Sequence, residues 1–177
     1  MGNKIIPGQV FPDILVKDLN DNVVNLKNNS NSHWKLIVVY RGQHCYLCTD
    51  FLKTLESLKD QFKKINVDIV VVSADSKLQL KEHQKILNVS FPIAYGLTIK
   101  DINILGGYAS KPRTEQETDH DFSEPCLFVV NEKNEVQIVD ISNTAFTRID
   151  LHLLLKGVSI IKDPENPYPI RGTLLCN

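Results

Sequence analysis

No stretch of this 177-residue chain is apolar for long enough to cross a bilayer. Neither sign of charge dominates, since twenty Lys and Arg stand against twenty-one Asp and Glu, a formal net charge of -1. A nucleic-acid or membrane-surface binder needs a basic stripe, and this balance argues against both. Glycine-rich nucleotide fingerprints are missing, so no organic cofactor is expected. Repeats and low-complexity tracts are missing too. Residues 1–11 hold Lys4 but no apolar h-region, so no secretory signal is expected and a reducing cytoplasm is the expected compartment. Cysteine is scarce at four residues. In such a compartment paired cysteines serve catalysis or metal binding more often than structure.

What remains is ordinary for a globular protein: 42% hydrophobic and 23% charged residues, on a length that suits one domain spanning 1–177. Short strands are expected at Phe11–Val16 and Val23–Leu26, joined by the turn-forming run Lys17–Asn22. Trp34–Tyr40 and Asp68–Ser73 are continuous apolar runs, the mark of strands buried on both faces. Phe51, Leu52, Leu55, Leu58, Phe62 and Ile65 fall at helical spacing, which predicts an amphipathic helix from about Cys48 to Lys64. A second helix is expected over Ser76–Leu87, with Leu78, Leu80, Ile86 and Leu87 as its apolar contacts. A short strand over Phe91–Tyr95, a short helix over Thr98–Leu105 and a long polar loop over Ser110–Glu124 follow. Strands Cys126–Asn131 and Val136–Ile141 make a hairpin, Thr147–Ile161 a last helix, and 163–177 an extended tail. Strand–helix alternation implies parallel pairing and the closing hairpin adds antiparallel strands. This is the thioredoxin-like α/β arrangement, a three-layer sandwich with a mixed sheet and an N-terminal hairpin.

The chemistry concentrates in Tyr40-Arg-Gly-Gln-His-Cys-Tyr-Leu-Cys-Thr49. Cys45 and Cys48 sit where a buried strand hands over to a helix, the edge of an α/β sheet where reactive groups collect. Unpaired N–H groups and the partial positive charge of a helix N-terminus stabilise a thiolate there. An unperturbed cysteine of pKa about 8.5 is only ~3% ionised at pH 7, whereas one near 7 is about half ionised. Placing the first cysteine at the non-helical cap lets the pair close to disulfide distance without distorting the helix. As a staple such a bridge is poor, since its loop of about four residues is worth only ~2 kcal/mol. A redox role explains it better. The rival is zinc, because Cys-x-x-Cys is half of many zinc sites. No second such pair follows, and His44, His120, Cys126 or Cys176 would have to complete the set from afar.

These residues resemble the AhpC/TSA (peroxiredoxin-like) branch of the thioredoxin superfamily. Pro7-Gly-Gln-Val-Phe-Pro-Asp13 is similar to the opening of many peroxiredoxins, and the resemblance continues through the active-site turn to Glu124-Pro-Cys-Leu-Phe-Val-Val130. It implies an oxidoreductase acting on a disulfide or peroxide substrate and reset by a thioredoxin- or glutathione-like thiol, and it allows a homodimer. Peroxiredoxins carry Pro-x-x-x-Thr-x-x-Cys. Laid on this chain, the cysteine is Cys48, while Cys45 replaces the threonine and Arg41 the proline. That shifts the expectation from peroxide reduction toward thiol–disulfide exchange. A thioredoxin-like reading makes Cys45 the nucleophile and Cys48 the resolving thiol, and this is the preferred assignment. The peroxiredoxin alignment makes Cys48 the attacking residue instead.

The resemblance also places Pro125 where thioredoxin folds carry a cis-proline facing the dithiol, with Cys126 beside it as a third thiol or a buried apolar residue. Arg41 is a candidate to stabilise a thiolate or bind a substrate carboxylate, against an ordinary ion pair. His44 is a candidate to tune Cys45. The Asp119-His120-Asp121 run is expected to be solvated, and Cys176 to be an idle thiol in the tail.

Overall fold

The computed structural model describes residues 5–174. An antiparallel pair, β1 (Leu15–Lys17) and β2 (Val23–Asn25), opens the fold. It is the expected hairpin in shorter form, with the Ile14 carbonyl still accepting the Leu26 N–H at 2.9 Å and with Phe11 and Ile14 buried in the core. The central sheet is built from β3 (Trp34–Val39), β4 (Val67–Val72), β5 (Ile93–Ala94), β8 (Cys126–Val130) and β9 (Val136–Ile141). Its order is β5-β4-β3-β8-β9. The pairs β3–β4 and β4–β5 are parallel, and β3–β8 and β8–β9 antiparallel. Two short strands, β6 (Ala109–Ser110) and β7 (Phe122–Ser123), pair at the base of the long polar loop, where composition alone predicts irregular backbone.

Among the described residues four helices complete the order: α1 (Tyr46–Lys64), α2 (Lys77–Leu87), α3 (Ile99–Ile104) and α4 (Leu151–Ile161). Each has a side-chain N-cap, respectively Cys45, Ser76, Thr98 and Asp150. Ser76 and Thr98 form full capping boxes with Gln79 and Asp101, which accounts for sharp helix starts at those points. Helix α4 begins four residues later than its apolar content suggests, because Asp150 caps the Leu153 N–H and ends the preceding loop.

The two faces of the sheet carry separate apolar clusters. On one, Leu36, Val38, Leu127 and Val129 meet α1 through Leu52, Leu55, Leu58 and Phe62, α2 through Leu80 and Leu87, and α4 through Leu151, Leu154 and Val158. Burying each such side chain is worth roughly 2 kcal/mol. On the other, Ile37, Val39, Cys126 and Phe128 pack against Phe11, Ile14, Leu26 and Ile102. The architecture is the thioredoxin-like three-layer sandwich with a mixed central sheet. One expectation for α2 fails: Leu78 and Ile86 are exposed, and the buried face is completed by His83 between Leu80 and Leu87. A histidine takes that place because polar partners, described below, await it.

Candidate active site

Strand β3 delivers the chain into Arg41–His44, a turn closed by the Cys45 N–H donating to the Gly42 carbonyl at 3.2 Å. Cys45 has extended backbone angles, φ -98° and ψ 99°, and is the N-cap of α1. The helix therefore starts at Tyr46, two residues before Cys48 rather than at it. The Cys45 sulfur accepts the Cys48 backbone N–H at 3.3 Å, and its carbonyl accepts from Thr49 N at 3.1 Å. Both cysteines are unbridged thiols.

The two sulfurs differ in access and in acidity. Cys45, itself only 4% exposed, borders a cleft of about 680 Å³, whereas Cys48 has no exposed surface. Arg148, from the loop before α4, reaches both: its Nη2 is 2.8 Å from Cys48 Sγ and 3.9 Å from Cys45 Sγ. The Cys45 thiol is drawn down to about 6 by the hydrogen bond from the Cys48 side chain, helped by the Cys48 N–H and by Arg148 and Arg41 against the cost of burial. Burial drives Cys48 the opposite way, so it stays a neutral donor beside the Cys45 thiolate. One negative charge is thus held at the cap, between an S–H, an N–H and a guanidinium.

Arg148 was not among the sequence-based candidates. It stands a hundred residues along the chain from Cys48, in a segment whose only local hint is an arginine shortly before a helix. Its guanidinium also covers the Phe51 ring at 5.2 Å, while its Nε donates to the Ala145 carbonyl at 3.2 Å. These contacts fix the fork over the dithiol.

Arg41 takes a different part. It pairs with Glu117 and Glu124, each at 3.4 Å, and lies over the Phe122 ring at 4.6 Å. It is engaged in the cleft wall, close enough to lower Cys45 slightly. His44 also lines the cleft, its ring 4.6 Å from Phe122, with both nitrogens buried and unpartnered. Burial and Arg41 press it down to about 4. Beneath the first turn of α1, the fully buried His83 sits between Thr49 Oγ1 at 2.9 Å and the Tyr40 hydroxyl at 3.4 Å.

Pro125 is a correction. The described residues contain no cis peptide bond. The segment instead runs straight through its ladder, with Glu124 N donating to the Tyr108 carbonyl at 2.8 Å and Ser142 N to the Pro125 carbonyl at 3.0 Å. Pro125 lines a small void with Phe51 and with Arg148, which reaches the dithiol. Cys126 opposes Val39 in the β3–β8 register and points into the other core layer. Burial pushes its thiol up to about 12. It packs within that layer, its Sγ donating to the Glu124 carbonyl at 3.5 Å. His120 is not simply solvated either, since its Nε2 faces the buried Asp75 at 3.5 Å. Cys176 lies outside the described residues. Among those residues no group of three or more His, Cys, Asp and Glu is gathered to hold a metal.

Residues 7–139 match the family model described as AhpC/TSA family. The chain belongs to the AhpC/TSA family. Its members are oxidoreductases built around a reactive thiol, and the Cys45–Cys48 site falls within the matched span. Solved peroxiredoxins share the AhpC/TSA fold seen here. The reduced 2-Cys peroxiredoxin of Plasmodium vivax superposes with a TM-score of 0.75 at 17% identity, covering 92% of this chain and 84% of its own. A peroxiredoxin-like protein from Aquifex aeolicus gives 0.74 at 14% identity, covering 89% and 88%. Peroxiredoxin 6 of Arenicola marina gives 0.73 at 18% identity, covering 89% and 74%. No curated protein matches the sequence.

Proposed function

We propose that this AhpC/TSA protein is a thiol–disulfide oxidoreductase in which Cys45 attacks and Cys48 resolves. The observation that carries the assignment is access: Cys45 lines the cleft and Cys48 is sealed behind it. The Cys45 thiolate attacks a substrate disulfide, forming a mixed disulfide and releasing one substrate thiolate, which takes up a proton. Cys48 then gives up its proton and attacks the Cys45 sulfur. The Cys45–Cys48 bridge forms and the second substrate thiol leaves. Two electrons pass from the dithiol to the substrate, and a thioredoxin- or glutathione-like thiol returns them. No cofactor is required for this cycle. The unit is read as one domain over 1–177 working in a reducing compartment, alone or as a homodimer. No helix among the described residues is long and apolar enough to cross a membrane.

A second reading is favoured by one contact, Arg148 at 2.8 Å from Cys48. A guanidinium there also suits a Cys48 thiolate attacking a peroxide. The sulfur becomes a sulfenic acid, the alcohol leaves, and Cys45 condenses with it, releasing water. Single-serine variants separate the two. With a disulfide probe, Cys48→Ser is expected to accumulate a mixed disulfide on Cys45, and Cys45→Ser to be inert. Peroxide turnover that survives in Cys45→Ser, with sulfenic acid trapped on Cys48, establishes the peroxidase reading instead.

A further inference from the structure

The turn that presents Cys45 is clamped from outside the dithiol. Gly42 adopts φ +131°, and a Cβ built on it falls 2.3 Å from Asp75 Oδ1. The other carboxylate oxygen, Oδ2, accepts the Gln43 N–H at 2.9 Å. Asp75 is only 1% exposed, an unusual place for a carboxylate. Its own backbone is pinned at both ends: the N–H donates to Ser73 Oγ at 3.3 Å and the carbonyl accepts from Gly96 N at 3.0 Å. Oδ1 has no hydrogen bond, and neither has His120 Nε2, which faces it at 3.5 Å from the long loop. On its far side His120 Nδ1 is within 2.8 Å of Asp119 Oδ1 and 3.0 Å of Thr118 Oγ1. Gln79 of α2 reaches the same Asp119 at 2.9 Å.

Resting on the thiol-exchange reading, we propose that Asp75, backed by His120, is a positioning residue for Cys45. The carboxylate holds the Gln43 N–H on one side of the turn while the Gly42 carbonyl holds the Cys45 N–H on the other. Together they fix the cap angle at which the Cys45 sulfur meets the Cys48 N–H. Asp75 touches neither sulfur, so its influence passes through backbone geometry alone. Keeping a buried carboxylate for this task costs desolvation, and burial does raise Asp75 above the ordinary range. What the turn takes from Asp75 is the acceptor that holds the Gln43 N–H. Glycine at position 42 follows from the same clamp, because no other residue fits both the backbone angle and the carboxylate.

The pH dependence of Cys45 alkylation by iodoacetamide, read peptide by peptide by mass spectrometry, tests the proposal. Asp75→Ala is expected to move the Cys45 midpoint up by about one unit, which from about 6 lowers its rate at pH 7 about twofold. Asp75→Asn keeps an acceptor for Gln43 and is expected to restore the wild-type midpoint. His120→Ala is expected to shift it by an intermediate amount. An unshifted midpoint in folded Asp75→Ala overturns the proposal. If that variant does not fold, an unshifted midpoint in His120→Ala does so. A wild-type midpoint in the ordinary cysteine range sinks the functional reading instead, so the two failures are distinguishable.

Discussion

Arg148 Nη2 lies 2.8 Å from Cys48 Sγ and 3.9 Å from Cys45 Sγ, joining the last loop of the fold to its first buried helix turn. A guanidinium so placed stabilises negative charge anywhere on the pair. The helix cap and the open cleft then decide that the charge sits on Cys45.

Replacing Arg148 by Leu is therefore expected to raise the Cys45 midpoint by about one unit, equivalent to ~1.4 kcal/mol of lost thiolate stabilisation. Arg148→Lys keeps the charge but loses the fork, and is expected to fall between. Thiolate absorbance near 240 nm against pH reads both shifts. An unchanged titration in Arg148→Leu rules out the electrostatic role.

Stability is expected to depend on pH through His83. Burial holds its folded value at about 4, below the ordinary 6.5. Between those values the unfolded chain binds the extra proton, so stability is complete above pH 6.5 and drains away as pH falls toward 4. The full loss is about 3 kcal/mol at ~1.4 kcal/mol per unit. His44, also depressed to about 4, adds in the same direction. Denaturant unfolding at pH 7.5 and pH 5 measures the change, which His83→Gln is expected to reduce.

Gly107 and Cys126 are expected to be coupled. A Cβ on Gly107 falls 2.8 Å from Cys126 Sγ and 3.3 Å from Ile102 Cγ2. Gly107→Ala is expected to cost about 1–3 kcal/mol through overpacking. Adding Cys126→Ala opens the space and is expected to recover part of that loss, a non-additive result in a double-mutant cycle. Cys126→Ala alone is expected to leave the Cys45–Cys48 bridge intact in peptide maps of the oxidised protein.

Arg41 is expected to matter first for the cleft wall. Its removal leaves Glu124, whose side chain is 7% exposed, with the Ser110 hydroxyl at 2.7 Å but without its cation, and leaves Glu117 without one of its partners. Arg41→Met is expected to destabilise by roughly 2 kcal/mol, and Glu124→Gln on top to cost less than its effect alone. Additive costs in thermal unfolding would show that the pair contributes nothing.

The sequence by itself determined what depends on near neighbours. Trp34–Val39 and Val67–Val72 announce buried strands by largely apolar runs, broken only at Lys35 and Asp68, and α1 shows its spacing from Phe51 onward. Cys45 and Cys48 declare a dithiol at a helix start because cap and spacing are local properties. Even there one detail was hidden. Helix α1 begins at Tyr46, whose exposed ring breaks the apolar period. Tertiary structure alone decided the rest, because it depends on register and on contacts between distant segments. The β3–β8 register turns Cys126 away from the dithiol. The Pro125 bond is trans, in a segment held by Glu124 N on the Tyr108 carbonyl and Ser142 N on the Pro125 carbonyl. Arg148 and Asp75 reach the active-site turn from segments far along the chain, and no periodicity in their own neighbourhoods marks where a folded chain will carry them.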